Sequence, residues 1–315
     1  MDGVINVYKP AGMTSFACVS RVRRALGEKK AGHAGTLDPE ASGVLPVCVG
    51  KGTKCADVFL TMPKRYTGEV TFGYKTDTCD IWGNTIEELD VNDERLISIT
   101  EEKVKEAAKS FLGETEQIPP DYAAIRIDGV QAYKLARQGK TFEMKSRKVT
   151  VYEITVLEFI SKPGEYPKAV IDIKCARGTY IRSIFRDLGE KLGVLACMSA
   201  LERTEYGFMQ AESAVLPENI EKDKISVFSI DFVLKDYKKI TLNETEERKY
   251  RTGVAFRIKN ITQRVGAEVQ EGETLRVYTK NKRFLATAKI ANLGEDTAGL
   301  KTDKFFDCEE VMCFE

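Results

Sequence analysis

The chain has 315 residues, 43 % of them apolar, enough for a large core and an appended module, so two domains are expected. No run of eighteen apolar residues occurs, and MDGVINVYKP lacks the basic stretch and apolar core of a signal peptide, which predicts a soluble, cytoplasmic protein without membrane attachment. The formal charge is zero, but the charges are segregated: residues 1–66 hold ten Lys/Arg against five Asp/Glu, residues 123–148 seven against two, and residues 77–118 four against twelve. On charge alone, ordinary solvated faces and a phosphate-binding surface explain this equally well.

Val4 to Tyr8 reads as a strand, Lys9-Pro10-Ala11-Gly12 as a turn, and Thr14 or Ser15 as the cap of a helix through Leu26 with Phe16, Val19, Val22 and Leu26 as its buried stripe and Gly27 as its stop. A glycine-rich stretch, 32–43, leads into the apolar strand Val44–Val49. From Tyr66 to Tyr74 the residues alternate as in a strand, and Thr100 caps a helix through Leu112. Ile118 to Val149 is a basic excursion of mixed periodicity. A strand returns at Val149–Phe159, another follows at Ala169–Cys175, and after Ala176-Arg177-Gly178 a helix runs from about Thr179 to Leu192, with Arg182 in its first turn. After Phe232 the pattern changes. A charged helix, Glu244–Arg251, precedes hairpin-like strands Leu275–Thr279 and Arg283–Ile290, so a small β-rich domain is expected from 238 to 315, after a first domain of 1–237.

Eight cysteines (Cys18, Cys48, Cys55, Cys79, Cys175, Cys197, Cys308, Cys313) include no C-x-x-C pair, so neither a zinc site nor a disulfide framework is signalled, and they read as reduced, mostly buried residues. His33 is the single histidine, which excludes His-rich metal centres. No metal is expected.

The most informative stretch is Gly32-His33-Ala34-Gly35-Thr36-Leu37-Asp38-Pro39-Glu40-Ala41-Ser42-Gly43. By itself Asp38-Pro39 is compatible with a plain turn, while glycines flanking one carboxylate let a substrate backbone approach closely. The longer stretch GHAGTLDPEASGVLPVCVGKGTK resembles the signature loop of TruB-type tRNA pseudouridine synthases. Lys9-Pro10-x-Gly12 is similar to that family's K-P-x-G motif, and Lys64-Arg65-Tyr66 to the motif carrying its tyrosine. Gly178-Thr179-Tyr180-Ile181-Arg182 resembles its G-T-Y-I-R motif, and Phe111 through Gln117-Ile118-Pro119-Pro120 to Gly139 its thumb insertion. The resemblance covers about the first 210 residues.

It implies an α+β pseudouridine synthase fold: a mixed, largely antiparallel central sheet, flanking helices, a thumb at about 118–149, and a C-terminal PUA-like β barrel. It also implies isomerisation of uridine 55 in the tRNA T loop, with the target base flipped out. By the same resemblance, Asp38 is the essential carboxylate, attacking the ribose or removing its 2' proton. Arg182 is its partner. Tyr66 stacks on the uracil and takes a proton from the sugar or C5, Leu201 packs against the base, and His33 assists flipping. Lys9 supports either the fold or a phosphate. Lys64, Arg137, Arg147 and Lys148 are expected on the RNA, the T arm being the main contact and the acceptor end being reached by the C-terminal domain. A monomer is expected.

Positive charge develops on the sugar, where a positioned carboxylate stabilises it. No cofactor is implied, since isomerisation changes neither oxidation state nor composition, and one carboxylate suffices because the detached base is retained. A glycoside hydrolase would need a second, and Glu40 reads instead as solvated or structural. Two alternatives compete: the guide-RNA-dependent relative of H/ACA particles, against which the thumb argues, and a noncatalytic RNA-binding protein, against which the Asp38, Tyr66 and Arg182 set argues.

Overall fold

The computed structural model describes residues 1–295 and 297–307. Its larger sheet is built from β1 (Gly3–Lys9), β2 (Ala31–His33), β3 (Ser42–Val49) and β4 (Lys64–Phe72). A separate hairpin follows, β5 (Tyr74–Thr76) with β6 (Thr85–Glu88), and then β7 (Gly113–Gln117) rejoins the sheet. The excursion beyond β7 holds a small hairpin, β8 (Arg126–Ile127) with β9 (Val130–Gln131), and the helix Ala132–Arg137. The chain returns as β10 (Arg147–Ile160), β11 (Lys168–Cys175), β12 (Ala196–Tyr206) and β13 (Met209–Gln210).

The strand order is β1-β3-β12-β4-β11-β10-β7, with β2 on β3 and β13 on β12. Every pairing in this sheet is antiparallel except β3 with β12, which run parallel. The sheet is therefore mixed and largely antiparallel, as expected. The excursion also stands where the sequence put it, between the antiparallel neighbours β7 and β10.

The strand β12, central in this order, was not foreseen. Its first half, Ala196 to Ser199, is wholly buried, so it shows no alternation. Register shifts at Met198/Ala200 and Arg203/Glu205 then break the period of two that marks a half-buried strand.

The first helix spans Ser15–Leu26, with the Thr14 hydroxyl accepting from the Ala17 N–H and Gly27 closing it in the left-handed region, as its cap residues predict. Its buried stripe is a correction. Ser15, Cys18, Val19, Val22 and Leu26 face inward, and Phe16 is 73 % exposed. The Ser15 hydroxyl donates to the Leu37 carbonyl and accepts from the Leu37 N–H, both at 3.0 Å. That double bond fixes the helix rotation and carries Phe16, about 100° further round, away from the core.

The Thr100-capped helix stops at Lys109, and the later one covers Ile181–Lys191. The latter lies against β12 and β4, and Ile181, Ile184, Phe185 and Leu188 bury in the main apolar cluster.

The charged helix Glu244–Arg251 carries a reciprocal capping box with Asn243. A second sheet of five strands orders as β14-β16-β17-β18-β15, from β14 (Lys239–Thr241), β15 (Arg257–Lys259), β16 (Thr274–Tyr278), β17 (Phe284–Ala291) and β18 (Thr297–Phe305). It has its own cluster around Leu242, Leu275, Leu285 and Ile290. Phe284 and Phe306, however, pack in one cluster with Val4, Cys55, Phe59 and Tyr206, so a shared core crosses residue 238.

Six cysteines, from Cys18 to Cys197, are buried; the reading of Cys308 and Cys313 lies outside the described residues. Among the described residues no helix is long and apolar enough to cross a membrane.

Candidate active site

The loop between β2 and β3 is held from beneath before any side chain faces solvent. Ser15 grips both backbone groups of Leu37, whose side chain joins the main core, and the Asp38 carbonyl accepts from the Ala41 N–H at 3.2 Å. Lys9, at the end of β1, is 0 % exposed, and its ammonium donates to the carbonyls of Pro10, Met13 and Pro39 at 2.9, 2.6 and 2.8 Å. Burial pushes Lys9 down to about 8. All three of its donors are spent on backbone carbonyls.

Gly43 lets β3 enter the sheet here. At φ +105° it lies where side chains are strained, and a Cβ would meet the Arg203 carbonyl at 2.2 Å.

Asp38 is thereby presented at the floor of a cleft of about 580 Å³. Its carboxylate receives Arg182 Nε at 3.0 Å and Nη2 at 3.3 Å, the bidentate geometry that a planar guanidinium offers and lysine cannot. The Asp38 side chain remains 40 % exposed, whereas that of Arg182 is 6 % exposed. Arg182 also donates to the Thr78 carbonyl at 2.8 Å and the Tyr122 carbonyl at 3.0 Å, and Asp80 lies 3.6 Å from its Nη1. Burial pushes the Asp80 carboxyl up, opposed by the Thr78 hydroxyl and by Arg182. The arginine is thus fixed by the loop after β5, by the root of the 118–149 excursion and by its own helix. Of its two carboxylate partners, only Asp38 lines the open cleft.

Tyr66 and Leu201 complete the floor. Leu201 stands opposite Gly68 across β4 and β12, and the missing side chain there admits both Leu201 and Phe185. Tyr66 is buried. Burial raises its hydroxyl, and the facing Arg203 guanidinium works the other way, so the group is a phenol at neutral pH. Lys64 borders the cleft too, donates to the Met62 carbonyl at 3.1 Å and lies 4.3 Å from the Tyr206 ring centre. Burial first, then the charge of Arg203, brings it down to about 8.

The rim is built differently. Arg147 stacks 4.7 Å above the Tyr180 ring, and its Nε and Nη2 are buried with no hydrogen-bond partner. Lys148 pairs with Glu114 at 2.7 Å while exposed, and Arg177 stands exposed at the turn after β11. The structure therefore brings Asp38, Tyr66, Arg182, Leu201, Lys64, Arg147 and Lys148 to one cleft.

Two expected residues lie outside the cleft lining. His33 is on β2, half-buried, with Nδ1 unpartnered; burial and then Arg203 lower its pKa, leaving it neutral at pH 7. Arg137 is exposed on the excursion helix, 5.6 Å from the Tyr133 ring. Two buried residues were missed, Asp80 and Arg203. Asp80 sat within an acidic run read as surface, and Arg203 followed Leu201 in a strand that was not recognised.

A larger hollow of about 860 Å³, lined by Tyr74, Leu89 and Tyr166 among others, shares no residue with this cleft. Among the described residues no cluster of three His, Cys, Asp or Glu side chains could hold a metal ion.

Residues 23–181 match the family described as TruB family pseudouridylate synthase (N terminal domain). The chain is 40 % identical over 307 residues to a protein of Clostridium perfringens named tRNA pseudouridine synthase B, covering 96 % of this chain and 98 % of that one. A protein of the same name from Caldanaerobacter subterraneus is 39 % identical over 288 residues, covering 88 % and 98 %. Among solved structures, a Cbf5-Nop10-Gar1 complex contains a chain with the same fold, at a TM-score of 0.66 and 25 % identity, over 96 % of this chain and 83 % of that one.

Proposed function

The chain belongs to the TruB family of pseudouridylate synthases, and on that premise we propose that it converts uridine 55 in the tRNA T loop to pseudouridine, acting alone, with Asp38 as the essential carboxylate. One observation carries this reading: a half-exposed carboxylate held bidentate by a buried arginine, beside a buried tyrosine and a leucine, under a cationic rim.

Each part has a task in that reaction. The uracil's C–N bond breaks with positive charge developing on the sugar, and an ionised carboxylate fixed in place stabilises that charge without reorganising. Arg182 holds Asp38 aimed by two bonds. Leu201 and Tyr66 line the space in which the detached base rotates. The base must leave its stack to enter so recessed a cleft, and His33, neutral and just upstream of the loop, is suited to fill the vacated position.

The exposed cations Arg126, Lys134, Arg137, Lys140 and Lys145 of the excursion serve as a thumb on the T-arm phosphates. The second sheet is read as a PUA-like module reaching the acceptor end. The relatives named as tRNA enzymes match at about 40 % over nearly the whole chain, against 25 % for the Cbf5 chain, which favours the standalone enzyme over a guide-dependent subunit.

The test is Asp38→Asn assayed on a tRNA transcript by pseudouridine mapping. The expected result is no detectable product, with affinity retained to within about tenfold, or roughly 1.4 kcal/mol. Near-normal turnover would remove Asp38 from the chemistry, and product at another uridine would correct the position.

A further inference from the structure

Arg203 is 1 % exposed, yet among the described residues no carboxylate pairs with it. Its Nε donates to the Val44 carbonyl at 2.7 Å and its Nη2 to the Gly35 carbonyl at 3.2 Å, and the Tyr206 ring centre lies 4.7 Å away. Its sequence neighbour Glu202 accepts instead from the Tyr8 hydroxyl at 2.8 Å. Lys64, on the same Tyr206 ring, adds to the surplus of positive charge. Taking a guanidinium out of water without a counter-charge costs several kcal/mol, a cost that an apolar side chain in the same space would avoid. A buried cation on neutral partners is suited to a negative charge that appears only during turnover.

The group on the cleft able to acquire one is Tyr66. It stands opposite Arg203 in the β4–β12 register and borders the cleft with it, and the guanidinium opposes the rise that burial imposes on its hydroxyl. The other titratable groups around the phenol are Asp38 from the loop, the Cys175 thiol at the end of β11 and the Tyr206 hydroxyl, which borders no part of the cleft. The thiol is pushed up to about 11 by burial, the Tyr206 hydroxyl is raised by burial too, and both stay neutral. Arg203 is the one cation among these four.

We infer that Arg203 is a positioning residue that holds the Tyr66 hydroxyl and stabilises it as a transient phenolate, an inference that rests on the proposed isomerisation. That reaction exchanges a C–N bond for a C–C bond, and its only other change is that C5 loses a proton and N1 gains one. Tyr66 gives its proton to N1 of the detached base and is left as a phenolate against Arg203. After C5 has bonded to the sugar and the Asp38 carboxylate is free again, the phenolate takes the C5 proton. Protons and charge balance with no outside reactant.

The experiment is single-turnover conversion of a T-arm stem-loop between pH 6 and 9.5. Arg203→Gln should slow the step about 100-fold across this range and leave RNA affinity within about threefold. Added to Tyr66→Phe it should cost nothing further, since residues acting as a unit are not additive. A loss that adds in full to the Tyr66→Phe loss overturns the inference in favour of a purely structural arginine. Arg203→Lys keeps the charge and decides the matter if the glutamine variant does not fold. It should lose less than about tenfold with an unshifted pH profile, and a folded lysine variant as slow as Tyr66→Phe overturns the proposal. If the unsubstituted chain converts no RNA, it is the proposed function that fails.

Discussion

The floor and the rim of the cleft are made of the same cations in opposite circumstances. On the floor, Lys9 and Arg182 are buried and bonded to groups of this chain. On the thumb, Lys134, Arg137, Lys140 and Lys145 are exposed, and among the described residues none forms an ion pair. A cation whose donors are filled within the fold sets geometry. One whose donors are open is available to a ligand, and position relative to water is what divides the two groups.

The strongest way to break that division is Arg182→Lys. A lysine keeps one charge but cannot hold Asp38 in two bonds while also reaching Thr78 and Tyr122. kcat/KM should fall about 10³-fold, or roughly 4 kcal/mol, with RNA affinity little changed. Rapid-quench kinetics on the stem-loop would measure it, and a loss carried mainly by affinity would move Arg182 to the rim class.

Lys9→Met tests the floor away from the carboxylate. It leaves three carbonyls unbonded beneath the loop and should lower stability by about 2–4 kcal/mol in urea unfolding, whether or not RNA is present. An unchanged midpoint with weakened RNA binding would restore Lys9 to a phosphate.

The smallest effect belongs to the thumb. Replacing Lys134, Lys140 and Lys145 by glutamine should leave the unfolding midpoint unmoved and flatten the salt dependence of affinity by up to about two to three units of slope. An unchanged slope would show that these charges meet only solvent.

What was legible in the sequence follows the same line. Asp38, Tyr66 and Arg182 stand in motifs long enough to be matched, and helix caps such as Thr14, Asn243 and Gly27 act within a few residues of themselves. Asp80 and Arg203 act at a distance. One meets Arg182 across 102 positions, and the other meets Tyr66 across 137, through the register of β12, a strand whose two bulges hid its period. Phe16 failed for a related reason: periodicity showed an apolar residue near a stripe, but the helix rotation is set by the Ser15 bonds to Leu37. The clean boundary expected at 238 missed Phe284 and Phe306, which return from the second sheet to the core of the first.

Most acceptors beneath the cleft are main-chain carbonyls: Pro10, Met13 and Pro39 for Lys9, Thr78 and Tyr122 for Arg182, Val44 and Gly35 for Arg203. Side-chain replacement does not delete a carbonyl, so alanine scanning passes over half of each of these interactions. At Met13 a change of side chain leaves the carbonyl that Lys9 grips in place. Only an edit to the backbone itself, such as an ester in place of the amide after Tyr122, whose carbonyl is a poorer acceptor, would loosen the thumb root from Arg182 without altering a single side chain.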